Sequence, residues 1–309
     1  MRSVNRFLLL SFLLLPSLSS FTQGVFIKGV IYSKGGKLPV SYATIQLSGT
    51  KNIIDSDENG YFEIFANSEK DSLLITCIGF KSYTIPVRYF KDTDSVFLEE
   101  NFLKMDEVHI KNPVLKTFGI VNEKMGSSRI GGTSAGRSEL TTLIEIPTSI
   151  ESYYISKVFI RGKRFREENP VRLHIYAVNE NGLPGEELLK KQVIIAKQFF
   201  DTKNNIITID VKDQNILLEN VSFFVGIEWI TSIKVKFGTG PEIIQTDKAS
   251  KLLSYYRPFP GYNNSWYAHY SKNGGLLIYE NGELPGIVTS PTKGNPLNMC
   301  ASAEIIAFY

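Results

Sequence analysis

The period of the apolar residues constrains this chain most, and that period is two. Ala43-Thr44-Ile45-Gln46-Leu47 alternates apolar and polar residues. Val171-Arg172-Leu173-His174-Ile175-Tyr176 does the same, with Val171, Leu173 and Ile175 on one face. Ile207, Ile209 and Val211 share a face, and Phe223, Val225, Ile227 and Trp229 form another row. Successive side chains of an extended strand point to opposite sides, so each run reads as a strand with one face buried. Turn clusters separate the runs: Lys34-Gly35-Gly36, Glu58-Asn59-Gly60, Asn181-Gly182-Leu183-Pro184-Gly185, Asn263-Asn264 and Asn273-Gly274-Gly275. No long helical period competes with this pattern, and short helical turns are read only near 186–191 and 248–255. Many short strands joined by Gly, Pro and Asn turns specify an all-β chain built of sandwiches or barrels.

Composition narrows the class further. With 43% hydrophobic residues, 24 Gly and 13 Pro, the chain is neither disordered nor fibrous. Its 309 residues suggest about two domains. The formal net charge is +3, and Arg2 and Arg6 at the extreme N-terminus supply two of those charges. The remaining body is close to neutral, so no nucleic-acid partner is expected, because that needs a dense basic patch.

The first segment reads as a Sec signal peptide over residues 1–22. Arg2 and Arg6 form a positive start, Phe7 to Leu15 is almost wholly apolar, Pro16 breaks it, and Ser17, Ser19 and Ser20 supply small residues before cleavage. The apolar stretch is shorter than the ~20 residues that span a bilayer. No later stretch approaches that length, so the exported chain is expected to carry no transmembrane helix and to reside in the periplasm or at the outer-membrane surface. Export makes a disulfide between Cys77 and Cys300 permissible, but spacing does not show that the two approach.

Four spaced motifs follow in order. They are Ile27-Lys28-Gly29-Val30-Ile31, then Leu38 to Thr50, then Ser56-Asp57-Glu58-Asn59-Gly60-Tyr61-Phe62-Glu63-Ile64, then Ser72 to Phe80. Ala43, Ile45 and Leu47 would fill a core, Asp57 to Gly60 would form a tight hairpin, and Phe62 and Ile64 would face inward. This ordered set resembles the carboxypeptidase regulatory-like domain. The resemblance implies a small seven-stranded, transthyretin-like (prealbumin-like) sandwich over 24–100 with no chemistry of its own. Such domains occur at the N-terminus of TonB-dependent outer-membrane receptors, and Leu103 to Ile110 resembles the segment that follows the domain there. Too few residues remain for a large barrel, so receptor function does not carry over. A connector is read over 101–124, and a larger jelly-roll-like β-sandwich over 125–309.

Several motifs suggest chemistry without the context it needs. His109, His174 and His269 are isolated from one another, with no His-x-x-Glu or His-Glu-x-x-His spacing, so no metal, cofactor or carboxypeptidase activity is expected. His174 falls on the polar face of its strand and reads as a solvated residue. Gly132-Thr133-Ser134-Ala135-Gly136 fits a nucleophile elbow, and Gly131 to Ser138 comes close to a phosphate loop, but no helix follows either. Asp55 to Gly60 matches the start of a calcium loop, yet Ala66 stands where the bidentate Glu belongs.

Tyr255 to Tyr270 is the most suggestive stretch. Aromatics beside Asn, Arg and His are what a sugar or peptide site uses, although alternation of Trp266, Ala268 and Tyr270 also fits plain core packing. A site here would be carried by Tyr256, Arg257, Tyr262 and Trp266. The leading expectation is a non-enzymatic binding or structural module of the Gram-negative envelope, whose partner is an envelope protein or a glycan. Two alternatives stay open: an accessory of a TonB-dependent transporter, and a hydrolase whose site carries no recognised motif.

Overall fold

The alternating runs become strands in a computed structural model. It describes residues 24–50, 52–90, 94–101, 113–120, 127–129, 138–161, 170–195, 200–201, 206–230, 242–245, 254–258, 267–272, 275–280, 295–299 and 301–308. The stretch read as a signal peptide, the elbow-like 132–136, the stretch 103–110 read as resembling a receptor segment, and Cys300 lie outside the described residues.

The first sandwich is made of β1 (Val25–Ser33), β2 (Thr44–Leu47), β3 (Ile53–Asp55), β4 (Tyr61–Ala66), β5 (Ser72–Thr76), β6 (Tyr83–Pro86) and β7 (Asp94–Leu98). One sheet has the order β4-β1-β7 and the other β3-β2-β5-β6. Ile27, Ile31, Ala43, Ile45, Leu47, Phe62, Ile64, Leu73, Ile75 and Leu98 interleave between them. Gly29 faces the same core as Ile27 and Ile31 because the Phe62 ring occupies that space: a Cβ there would sit 2.9 Å from the ring. Asp57 sets the hairpin, its Oδ1 accepting from the backbone N–H of Asn59 and of Tyr61 at 2.9 Å each. Asp57 thus serves the turn, and Asp55 is buried and accepts from the Thr44 hydroxyl at 3.1 Å.

The rest of the chain adds β8 (Val114–Gly119), β9 (Ser127–Arg129), β10 (Ser138–Ile144), β11 (Ser152–Arg161), β12 (Val171–Val178), β13 (Pro184–Glu187), β14 (Val193–Ile195), β15 (Phe200–Asp201) and β16 (Ile206–Asp210). It continues with β17 (Leu217–Glu219), β18 (Phe223–Trp229), β19 (Glu242–Gln245), β20 (Ser254–Pro258), β21 (Tyr267–Lys272), β22 (Gly275–Glu280), β23 (Asn295–Met299) and β24 (Ala301–Phe308). One sheet runs β8-β24-β11-β16, and the facing one runs β10-β18-β12-β13. Taking these eight strands in chain order, the first, eighth, third and sixth share one sheet and the second, seventh, fourth and fifth share the other. That is jelly-roll order, two Greek keys folded face to face. Val171, Leu173, Ile175, Val225, Ile227 and Leu140 from one sheet meet Ile155, Val158, Ile160, Ile207, Ile209, Ala303 and Ile305 from the other.

Two details differ from the sequence reading. Val114–Gly119 falls in the stretch read as connector, yet it pairs along its length with β24 as an outer strand of the jelly roll. Glu186 and Glu187 lie in strand β13 and not in a helical turn, because the Asn179 side chain closes the preceding loop by accepting from the N–H of Asn181 and Leu183. Among the described residues no helix is long and apolar enough to cross a membrane.

Candidate functional site

Strand register writes a line of charge across the jelly roll. β12 pairs with β18, β18 with β10, and β10 with β20, so Arg172, Glu228, Glu139 and Arg257 stand side by side on four adjacent strands. The next line along is His174, Gly226 and Thr141, and the one after is Tyr176, Phe224 and Leu143. All of these residues alternate with the core residues, so they occupy the sheet's outer face. Gly226 leaves room for its neighbours: a Cβ would lie 2.6 Å from Thr141 Cγ2 and 3.1 Å from Glu139 Oε1.

An outer face of this kind is normally solvated. Here Arg172 is only 4% exposed, Glu228 1% and Glu139 0%. His174 is buried too, which corrects its reading as a solvated residue. The alternation placed it on the right face, but on that face Glu187 and Glu228 hold both ring nitrogens and Tyr176 stacks on the ring.

Arg172 joins the two bodies. One terminal nitrogen donates to Glu228 of the jelly roll, and Nε donates to Gln192 Oε1 at 3.0 Å. The other terminal nitrogen reaches the first sandwich, donating to the Tyr42 carbonyl at 2.5 Å and to Asp55 Oδ1 at 3.2 Å. Asp55 Oδ1 also accepts from Thr44. Gln192 reinforces the junction, with Nε2 donating to the Ser41 carbonyl at 2.9 Å while Oε1 receives the Cys77 thiol. Tyr42 holds φ at +54°, a conformation costly for a bulky side chain, and its carbonyl is the one that meets Arg172. Gly79, at φ +89°, lets the bodies touch: a Cβ there would be 2.8 Å from the Lys190 carbonyl oxygen. Ile78 beside it packs onto the jelly-roll core.

The electrostatics follow from this geometry. Burial alone would lower the Arg172 pKa, but Glu228 and Asp55 outweigh it and hold the guanidinium charged. His174 sets Nδ1 against Glu187 Oε2 and Nε2 against Glu228 Oε2, at 2.5 and 3.1 Å. Carboxylate oxygens accept and do not donate, so both ring nitrogens carry protons. Burial opposes that charge, yet Glu139, Glu187 and the two hydrogen bonds raise its pKa to about 9. Tyr176 stacks on the imidazole with centroids 5.2 Å apart, and burial followed by Glu139 keeps its phenol protonated. Arg257 donates twice to Glu139 Oε2 and once to the Tyr176 hydroxyl. Glu139 Oε1 is buried with no hydrogen-bond partner among the described residues.

Beside this network lies a cleft of about 450 Å³ between the two sandwiches. Thr76, Phe80 and Asn101 line one wall; His174, Glu186 and Glu228 line the other. Cys77 also lines it, its thiol pushed up to about 11 by burial and therefore a poor nucleophile. A doubly protonated His174 is no general base. Among the described residues no group of three His, Cys, Asp or Glu is arranged to hold a metal ion. The arrangement suits recognition of a polar group by fixed charges.

Of the four residues named from sequence, Arg257 lines this cleft, committed to Glu139. Tyr256 is the register partner of Leu140 on β20. Tyr262 and Trp266 lie outside the described residues. Sequence reading missed Asp55, Glu139, Arg172 and Glu228. The signal was present in the carboxylates inside apolar runs, Glu139 before Leu140 and Glu228 between Ile227 and Trp229, because a charge is rarely found in a central strand unless it is paired.

Residues 27–110 match the family described as CarboxypepD_reg-like domain. No curated protein sequence matches the chain. Among solved structures, the VP2 subviral particle of infectious bursal disease virus aligns at 9% identity and a TM-score of 0.24, over 86% of this chain and 60% of that one. The chain thus spans less than two thirds of that protein's length. BcpA, the major pilin subunit of Bacillus cereus, aligns at 10% identity and a TM-score of 0.18, over 93% of this chain and 96% of that one. Likeness at this level carries no functional meaning.

Proposed function

We propose, from the premise of a CarboxypepD_reg-like domain over residues 27–110, that this chain is a non-catalytic binding module of the cell envelope. In this reading residues 24–100 form the regulatory-like domain, which is docked on the jelly roll, and the cleft between them is the ligand seat. The chain is exported and sits in the periplasm or at the outer-membrane surface, where its partner is an envelope protein or a glycan. The observation that carries the reading is Arg172, a buried side chain of the jelly roll that ion-pairs with Asp55 of the first sandwich. A spacer on a free linker has no use for a buried charge pair at the joint. A cleft whose walls come from two docked bodies is a common place for a ligand.

A glycan and peptide binding screen on the full chain tests this, with Thr76→Trp to fill the cleft and Trp266→Ala to probe the aromatic stretch. The expected result is binding that Thr76→Trp abolishes and Trp266→Ala leaves intact. The opposite pattern moves the seat to Tyr256, Tyr262 and Trp266. No binding by a folded chain makes the protein a structural element.

A further inference from the structure

Most of the charge that lines the cleft is spent within the protein, and what is left over describes the ligand. Arg172 is paired with Glu228, His174 with Glu187 and Glu228, and Arg257 with Glu139. Two charged lining residues take no part in an ion pair among the described residues. One is Lys190, whose Nζ donates to the Asn215 carbonyl at 3.1 Å, and the other is the exposed Glu186. They carry one charge of each sign. A charged ligand attracted by one therefore meets a like charge in the other, and the cleft favours neither an anion nor a cation.

The neutral groups in the cleft call for both kinds of hydrogen bond. Thr76 is the register partner of Thr44, which binds Asp55 on the side that meets Arg172. The Thr76 hydroxyl itself has no partner among the described residues, and neither has the Asn101 side chain. A hydroxyl donates and accepts, a primary amide offers two donors and an acceptor, a carboxylate only accepts and an ammonium only donates. Thr76, Asn101, Glu186 and Lys190 together suit a neutral ligand bearing several groups that each donate and accept. Adjacent hydroxyls are such groups. A peptide amide, with one N–H and one C=O, would leave most of the four unanswered. Phe80, half-buried in the same cleft with Ile78 close in sequence, adds an apolar surface on which the C–H face of a sugar ring can rest.

Both walls are held before a ligand arrives. The Phe80 N–H donates to the Cys77 carbonyl at 3.1 Å and the Asn101 N–H to the Gly79 carbonyl at 2.8 Å. Opposite them, Gln214 Oε1 accepts from the N–H groups of Lys190 and Lys191 at 3.1 and 3.0 Å. Fixed walls reduce the ordering cost of binding. We propose that the cleft receives a neutral hexopyranose unit of a glycan, its hydroxyls shared among Glu186, Lys190, Thr76 and Asn101 and its C–H face against Phe80. The inference rests on the cleft being the ligand seat and specifies what enters it.

The test is an NMR titration of the full chain with the methyl pyranosides of glucose, galactose and mannose across the millimolar range, following the amides of Gly79 and Asn101. The matching uronate, the matching amino sugar and N-methylacetamide serve as anionic, cationic and amide comparisons. Saturable shifts are expected with at least one neutral hexoside. Binding about tenfold weaker or more is expected for all three comparison compounds and for the exposed Glu186→Gln variant. Thr76→Val, which keeps the side-chain shape and removes the hydroxyl, is expected to weaken binding as well. No saturable shift with any of the three hexosides, equal or tighter binding of a comparison compound, or unchanged affinity in either variant each overturns the inference. A peptide or charged ligand from the screen whose binding Thr76→Trp abolishes would overturn it too, while leaving the cleft as the ligand seat. Failure of the whole screen would remove both.

Discussion

At the scale of the residue, His174 shows how the same side chain changes character with its surroundings. Its unperturbed pKa is about 6.5. Burial would push that down, but Glu139 on β10, Glu187 on β13 and Glu228 on β18 bring it to about 9. Arg172 and Arg257 share the same carboxylates and stay charged throughout the range. A pKa raised on folding contributes stability that is fully present below the unfolded value and disappears as pH rises through the folded one. Urea denaturation of wild type and His174→Gln therefore gives a stability gap that is widest at or below about pH 6.5. The gap closes above the folded pKa of about 9. It amounts to on the order of 3 kcal/mol at most. A gap that is flat across this range, or that widens with pH, contradicts a charged His174.

At the scale of the element, the alternation of β12 and β18 was fully legible for the core face. Val171, Leu173, Ile175, Val225 and Ile227 all lie where a period of two puts them. The outer face was not legible, because what meets Arg172 there comes from Tyr42 and from Asp55 of β3, more than a hundred residues earlier. A strand's own pattern states which residues share a face and is silent on whether that face meets water or another sandwich. Gly226 is the exception, a glycine in the middle of an apolar strand that marks close approach on the outer side. Gly226→Ala would drive a Cβ to 2.6 Å from Thr141, which is itself fully buried and held by the strand. The expected loss is about 1–3 kcal/mol in chemical denaturation. An unchanged midpoint would mean that the charged layer packs more loosely than described.

At the scale of the molecule, the first sandwich was legible because its four motifs each fix a local structure: the mid-strand Gly29 under Phe62, the core run Ala43 to Leu47, the Asp57 hairpin and the strand that buries Leu73 and Ile75. Jelly-roll order emerges only from pairings such as β8 with β24, which close over nearly two hundred residues and leave no local trace. The charged layer belongs to neither body alone. Removing one partner from a buried ion pair typically costs about 3–5 kcal/mol. The two sandwiches are therefore expected to share their stability, where domains joined by a small polar contact would move independently.

Hydrogen exchange in increasing urea, read by mass spectrometry, tests that coupling most directly. Peptides covering Ile45 and Leu73 report on the first sandwich, and peptides covering Val225, Ala303 and Ile305 report on the jelly roll. The two sets should lose protection together in wild type, and should separate into two transitions in Arg172→Gln. Separate transitions already in wild type, unchanged by the substitution, would contradict the docked unit and with it the cleft as a built site.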